Sequence, residues 1–245
     1  MLINIILAIV AYKTKSLTFK GTTLALVLGI IVYYLCIEAY IVLFFYFVLI
    51  TAIEKIVLKS KREKRNFWQV LSNFIFAFVS LILYVLLDQH PYFVLYCSML
   101  SVSLSDTMAS TIGTRFAKKV YSITRFKSVT KGVSGGVSMC GSFAGSFGSA
   151  FIALMYYLLF FQESTISLIN NVVLIVLLGV FGMLIDSILG DLVQKKYYCS
   201  QCKKTIDSEM CCGKACTPIG AQLLTNSQVN IISEGLIFVF GIFML

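Results

Sequence analysis

Two aspartates lie in stretches otherwise made of apolar and small residues. Asp106 sits in Ser103-Leu104-Ser105-Asp106-Thr107-Met108-Ala109-Ser110, and Asp186 in Gly182-Met183-Leu184-Ile185-Asp186-Ser187-Ile188-Leu189-Gly190. Helical spacing puts Ser103, Asp106, Ala109, Ser110 and Gly113 along one small, polar face. Steps of four align Gly182, Asp186, Gly190 and Gln194. Each aspartate is thus flanked by residues small enough to admit another backbone or a ligand. A carboxylate within an apolar helix costs about 2.5 kcal/mol or more on insertion scales, so it is a functional candidate by default. The structural alternative is a hydrogen-bonded or ion-paired aspartate near the membrane interface. Asp191, one turn beyond Asp186 on a different face, ranks second. Hard carboxylate oxygens suit Mg²⁺, which keeps several waters and binds phosphates as well. Lys or Arg nearby then neutralises the charge that develops in phosphoryl transfer, and Arg115, Lys118, Lys127 and Lys131 are placed for it.

The stretch Lys131-Gly132-Val133-Ser134-Gly135-Gly136 follows a basic loop and is expected to open a helix. Free backbone N–H groups at a helix start, next to cations, would cradle a phosphate at Gly132, Gly135 and Gly136. Further on, Gly141, Gly145 and Ser149 recur every four residues, the pattern of close helix–helix packing. Eight cysteines are present. Cys36, Cys97 and Cys140 lie in apolar runs and read as small packing residues. Cys199, Cys202, Cys211, Cys212 and Cys216 crowd into one loop, where a four-thiolate zinc knuckle and a set of free thiols are both open. His90, the single histidine, precedes Pro91 and reads as a turn residue, which removes His from any catalytic scheme.

The elements that must position these residues are membrane helices. The chain is 59% hydrophobic and only 13% charged, with a mean hydropathy of +0.91, a membrane composition. Apolar runs predict helices over Leu2–Tyr12, Gly21–Ile37, Ala39–Leu58, Phe67–Leu87, Pro91–Gly113, Gly132–Phe161, Leu168–Gln194 and Val229–Leu245. The expectation is an all-α polytopic bundle of about eight transmembrane helices forming one domain over residues 1–245. It becomes seven if the short first segment only dips into the bilayer. No internal repeat and no strand of consequence is expected, and no cleavable signal peptide. A cytoplasmic cysteine-bearing loop is expected at 195–225.

All 20 Lys and Arg residues fall in four stretches: Lys13–Lys20, Lys55–Arg65, Arg115–Lys131 and Lys195–Lys214. The connections near Glu38, near Asp88–His90 and near Gln162–Glu163 carry none. This alternation obeys the positive-inside rule and puts the four basic loops, with both aspartates near them, on the cytoplasmic side. The +9 net charge then reflects orientation signals and contacts to anionic headgroups, with no nucleic-acid partner implied. The Lys- and Ile-rich usage suggests a bacterial plasma membrane.

These motifs have a match. The chain resembles the transmembrane-protein-19-like family of integral membrane proteins, which includes the plant phytyl-phosphate kinases. The resemblance covers most of the chain. It rests on Lys15-Ser16-Leu17-Thr18-Phe19-Lys20-Gly21, on Arg65 with Gln69-Val70-Leu71-Ser72-Asn73, and on Ser105-Asp106-Thr107-Met108-Ala109-Ser110-Thr111-Ile112-Gly113. Gly132-Val133-Ser134-Gly135-Gly136-Val137-Ser138, Asp186-Ser187-Ile188-Leu189-Gly190 with Gln194, Cys199 and Cys202, and Thr225-Asn226 with Val229-Asn230 complete it. The chain departs from the family pattern at Thr111, usually Glu, and at Ser227, usually Asp. More distantly, Asp106-Thr107-x-Ala109 leading to Gly113-x-x-Phe116 resembles the CTP-using polyprenol kinases. The resemblance implies a CTP-dependent kinase acting on an isoprenoid alcohol or its monophosphate, with Mg²⁺ and the nucleotide as cofactors and the lipid as partner. Asp106, Asp186, Arg115 and Lys131 would be catalytic. Thr107, Gly113, Lys127, Gly132, Gly135, Gly136, Ser187, Gly190, Gln194, Asn226 and Asn230 would bind the nucleotide. Cytidylyl transfer, a transporter or lipid-handling role without nucleotide chemistry, and a purely structural role are the alternatives.

Overall fold

The computed structural model describes residues 2–58, 64–162 and 164–245. Lys59, Lys61, Arg62 and Glu163, parts of the second basic stretch and the third base-free connection, lie outside the described residues. The described residues form nine helices: α1 (Leu2–Lys13), α2 (Phe19–Leu35), α3 (Ile37–Leu58), α4 (Phe67–Ser72), α5 (Ile75–Leu87), α6 (His90–Phe116), α7 (Met139–Phe160), α8 (Thr165–Leu192) and α9 (Asn226–Met244). Helices α3, α7, α8 and α9 are long and apolar enough to cross a membrane, and α1, α2 and α5 are shorter apolar helices. Only about a third of each long apolar segment is buried. Phe45, Phe147, Leu177 and Val239 accordingly point outward, as on a lipid-facing surface.

Helix α6 is the opposite case. Seventeen of its 27 residues are buried, among them Ser98, Ser101, Ser103 and Ser105. It packs against α3, α5, α7, α8 and α9 and forms the axis of the molecule. Its serines are tolerated because each finds a partner: Ser98 bonds the Val94 carbonyl, Ser101 bonds Ser149 and the Ile175 carbonyl, and Ser103 bonds the Tyr46 hydroxyl at 2.8 Å.

Two expected helices differ in a way that matters for the site. The run over Phe67–Leu87 is broken into α4 and α5. Asn73 caps α4 by returning its N–H to the Leu71 carbonyl, and its side chain turns inward to accept from Asn230. The run over Gly132–Phe161 becomes helical only at Met139, where Ser138 caps the Gly141 N–H. Gly132 and Gly135 have φ of +82° and +76°, which no right-handed helix accommodates. Gly136–Val137 instead forms a short strand, β2, paired with β1 (Tyr121–Ser122).

The cysteine loop is also more structured than expected. Strand β3 (Lys196–Cys199) lies between β4 (Lys204–Ile206) and β7 (Thr217–Ile219) in an antiparallel sheet. A hairpin of β5 (Met210–Cys211) and β6 (Lys214–Ala215) sits beside it. These strands of two to four residues are too short to leave a periodic signal in sequence.

Candidate functional site

Small residues draw α6, α7 and α8 together around the two aspartates. A Cβ on Gly141 would lie 2.8 Å from the Ala109 carbonyl oxygen and 3.4 Å from the Gly113 Cα. A Cβ on Gly145 would lie 2.9 Å from the Ser105 carbonyl oxygen. Such backbone approaches are open only to glycine. Beyond this seam the helices diverge around a cavity of about 630 Å³, lined by Asp106, Thr107 and Gly113 of α6 and by Asp186 and Ser187 of α8. Helix α9 closes one side. Ser233 donates to Asp186 Oδ2 at 3.0 Å, and Asn230 donates to Asn73 Oδ1 at 2.9 Å. Arg65 also reaches the cavity, paired with Glu54 at 2.7 Å and 3.5 Å from the Thr107 hydroxyl.

The glycine loop forms the cavity's mouth, and its geometry is not that of a helix start. Gly135 lies directly on the C-terminal end of α8: a Cβ there would lie 2.5 Å from the Asp191 backbone nitrogen. The loop's amides are partly engaged. The Gly136 N–H donates to the Val133 carbonyl at 3.0 Å. Ser134 donates both its N–H (2.9 Å) and its hydroxyl (2.7 Å) to Asp207 Oδ2. A carboxylate from the cysteine-bearing segment therefore already occupies an anion seat on this loop.

Of the residues singled out in sequence, Asp106, Asp186, Arg115, Thr107, Gly113, Gly132, Gly135, Gly136, Ser187, Asn226 and Asn230 line this one cavity. Lys127, Lys131, Gly190 and Gln194 are not part of its lining. Gln194 lies beyond the end of α8, where it pairs with Leu224 and reaches Asp207 at 3.4 Å. Asp191 has a different task. Its buried carboxylate accepts from Ser122 and from Thr124 (2.6 Å), and pairs with Lys196 and Arg125, each at 3.0 Å. That cluster ties the β1 segment to the end of α8. His90 is the first residue of α6 and bonds the Tyr156 hydroxyl at 2.7 Å.

Sequence reading passed over Ser233 and Glu234. Glu234 is only 3% exposed and lies within Coulomb range of Asp186 and Asp106. The signal was available: a carboxylate inside an apolar helix, one turn after Asn230.

The second cluster is the cysteines. The sulfurs of Cys199, Cys202, Cys211 and Cys212 lie within 4.8 Å of one another, with 3.7 Å between Cys202 and Cys211 and 3.6 Å between Cys211 and Cys212. Four thiolates held tetrahedrally about 2.3 Å from a zinc ion would lie about 3.8 Å apart. The set could therefore bind a metal such as zinc. The Cys202 backbone N–H holds the Cys199 thiol down at about 6, while hydrogen bonding to Cys212 and Cys199 pushes Cys211 up to about 12. A thiol ionised at neutral pH is the form a metal takes. Cys216 is not one of these four; its sulfur lies near the Lys214 carbonyl and within hydrogen-bond reach of Cys199.

The family model for the integral membrane proteins DUF92 matches residues 2–238. The chain belongs to the DUF92 family of integral membrane proteins. This DUF92 protein is similar to the uncharacterized membrane protein MJ0933 of Methanocaldococcus jannaschii, at 29% identity over 203 residues. The alignment spans 80% of this chain and 82% of the relative. No solved structure matches the DUF92 chain.

Proposed function

We propose that this protein is a membrane-embedded phosphotransferase that uses CTP to phosphorylate an isoprenoid alcohol or an isoprenyl monophosphate. The observation that carries this reading is the convergence of Asp106 and Asp186 with the Gly132–Gly136 loop, Arg65 and Arg115 on one cavity. Its volume falls within the roughly 300–1,000 Å³ of small-molecule sites. The resemblance to phytyl-phosphate kinases supports the choice of lipid. So does a second cavity of about 110 Å³, lined mainly by apolar residues of α1, α2 and α3, which shares Arg65, Gln69 and Asn73 with the first. A polar chamber beside an apolar one, with Arg65, Gln69 and Asn73 in the wall of both, suits a molecule with a phosphate head and a hydrocarbon tail.

The donor set at the aspartates is all oxygen, which fits Mg²⁺. When bound, that ion would neutralise phosphate charge, as in other phosphoryl transfers. The protein's own residues do the rest. Arg115 faces the charge that builds on the transferring group. Gly132, Gly135 and Gly136 let the mouth loop approach a phosphate, which takes the seat now held by Asp207. Thr107, Gly113, Ser187, Asn226 and Asn230 line the nucleotide's place, while Lys127 and Lys131 draw anions toward the mouth. The acceptor oxygen of the lipid forms a bond to the terminal phosphorus of CTP as the bond to its β-phosphate oxygen breaks, releasing CDP. An alcohol acceptor releases its proton to water, and a monophosphate dianion has none to lose.

In this reading residues 1–245 are one domain of eight spanning segments, seven if the first only dips, in a bacterial plasma membrane. The basic loops face the cytoplasm. Arg65, Arg115 and Asp207 come from three of the four basic stretches and meet at one cavity, which supports a shared side. Zinc in the cysteine cluster would be structural.

The test is label transfer from γ-phosphate-labelled CTP to a panel of prenyl alcohols and monophosphates, with purified protein and Mg²⁺. Asp186→Asn should abolish transfer with the fold intact, and an active variant would refute the assignment. Release of pyrophosphate instead of CDP would identify cytidylyl transfer. Uptake of lipid phosphate into proteoliposomes without nucleotide would favour transport.

A further inference from the structure

Helix α9 brings a row of oxygen ligands toward Asp186, of which the reading above uses only Asn230. Asn230, Ser233 and Glu234 are spaced i, i+3 and i+4 and share one face of the helix. Ser233 bonds Asp186 Oδ2 at 3.0 Å, which fixes that face against α8 at the level of the aspartate. Asn230 lines the cavity, and Ser233 and Glu234, which are not part of its lining, follow one turn deeper along α9. Glu234 is 3% exposed and Asn230 is 8% exposed. Among the described residues, Glu234 Oε2 and Asn230 Oδ1 are buried without a hydrogen-bond partner.

A buried oxygen without a partner costs roughly 1–3 kcal/mol, and more when charged. Two of them on one helix face, beside a carboxylate that accepts one hydroxyl, call for a shared partner. Every candidate donor atom here is an oxygen: the carboxylates of Asp186 and Glu234, the Asn230 amide oxygen and the Ser233 hydroxyl, with Asp106 in Coulomb range of both carboxylates. A hard divalent cation satisfies such a set. Zinc and softer ions prefer the thiolates on the other side of the glycine loop.

We propose that Glu234 is the third carboxylate of a Mg²⁺- or Mn²⁺-binding site shared with Asp106 and Asp186. The inference rests on the reading of the two aspartates as cation ligands and adds a ligand from α9. It makes α9 part of the site: Ser233 positions Asp186 and Glu234 holds the cation.

Direct Mn²⁺ binding to the purified full-length protein in detergent, read by electron paramagnetic resonance without nucleotide, tests this. Glu234→Gln is the main variant and Glu38→Gln the control, since Glu38 lies at the far end of α3. Loss of a direct ligand should weaken Mn²⁺ at least about tenfold, the lower bound for even an outer-sphere partner. The control should bind as the unmodified protein does. Gln is isosteric with a protonated glutamic acid, so a merely structural Glu234 would give unchanged binding, and that result overturns the proposal while leaving the aspartates in place. No Mn²⁺ binding by the unmodified protein overturns the aspartate reading and this inference together. Should Glu234→Gln fail to fold, Glu234→Asp makes the same comparison: weakened binding supports the assignment and unchanged binding overturns it.

Discussion

The contact between the glycine loop and α8 gives the sharpest test of how the cavity's mouth is built. Gly135 carries two separate constraints. Its φ of +76° is left-handed, which costs an L-residue roughly 1–2 kcal/mol. A Cβ would also strike the Asp191 backbone, with the nitrogen at 2.5 Å. The struck atoms are helix backbone and cannot rotate away, so overpacking adds roughly 1–3 kcal/mol. Gly135→Ala should therefore destabilise by about 2–5 kcal/mol in total. Gly220 separates the two terms. Its φ is +77° and a Cβ there would meet nothing within 4 Å, so Gly220→Ala carries the backbone cost alone. Thermal unfolding in detergent should place Gly135→Ala below Gly220→Ala by roughly 2–12 °C, at about 2–4 °C per kcal/mol for a chain of this size. Equal melting temperatures would refute the claim that the loop is seated on α8.

Two further outcomes follow from the same geometry. Purified protein should carry about one zinc per chain, the load of a four-thiolate site. Cys202→Ser or Cys211→Ser should lose it and Cys216→Ser should keep it, as read by elemental analysis. Asp191→Asn should cost about 3–5 kcal/mol, because it strands Lys196, whose side chain is 8% exposed, without a counter-charge. The Arg125 partner is 62% exposed and contributes little. Melting measured for Asp191→Asn beside Arg125→Ala checks this, with a large loss expected only in the first.

Much of the helical frame was legible in sequence because burial in lipid demands long apolar runs, and those runs are present. What escaped was local geometry inside them. Hydropathy scores Phe67–Leu87 as continuous, yet Asn73 ends a helix in order to bond Asn230, a partner 157 residues away. The same scale carries a helix through Gly132–Val137, because it is blind to the positive φ of Gly132 and Gly135. Asp106, Asp186 and the glycine motif were readable as site residues, since carboxylates and glycine pairs are rare in such surroundings. Arg65, a residue of the second basic stretch, was not: its role at the cavity depends on the pairing of Thr18 with Arg65 across two loops. Gln194 misled in the opposite direction. Its step of four from Gly190 assumed a helix that ends at Leu192.

The small-residue seam and the carboxylates belong to one device. Ser101, Ser105, Ala109 and Gly113 step by four along α6, and Gly141, Gly145 and Ser149 step by four along α7. The two rows meet in antiparallel order: Gly113 and Ala109 at Gly141, Ser105 at Gly145, and Ser101 at Ser149 with 2.7 Å between hydroxyls. Helix α8 joins through Gly179, where a side chain would collide with Ser101 and Ser149, and through Gly182, where it would collide with Val102. A slip of one turn along this seam would move Asp106 by about 5.4 Å, more than twice the roughly 2.1 Å of a Mg²⁺–oxygen contact. Packing that tight on backbone leaves no intermediate register. The glycines of this seam thus set the axial position of the aspartates, and Gly145→Val would perturb the cavity through Met183, a lining residue whose sulfur a side chain at Gly145 would strike.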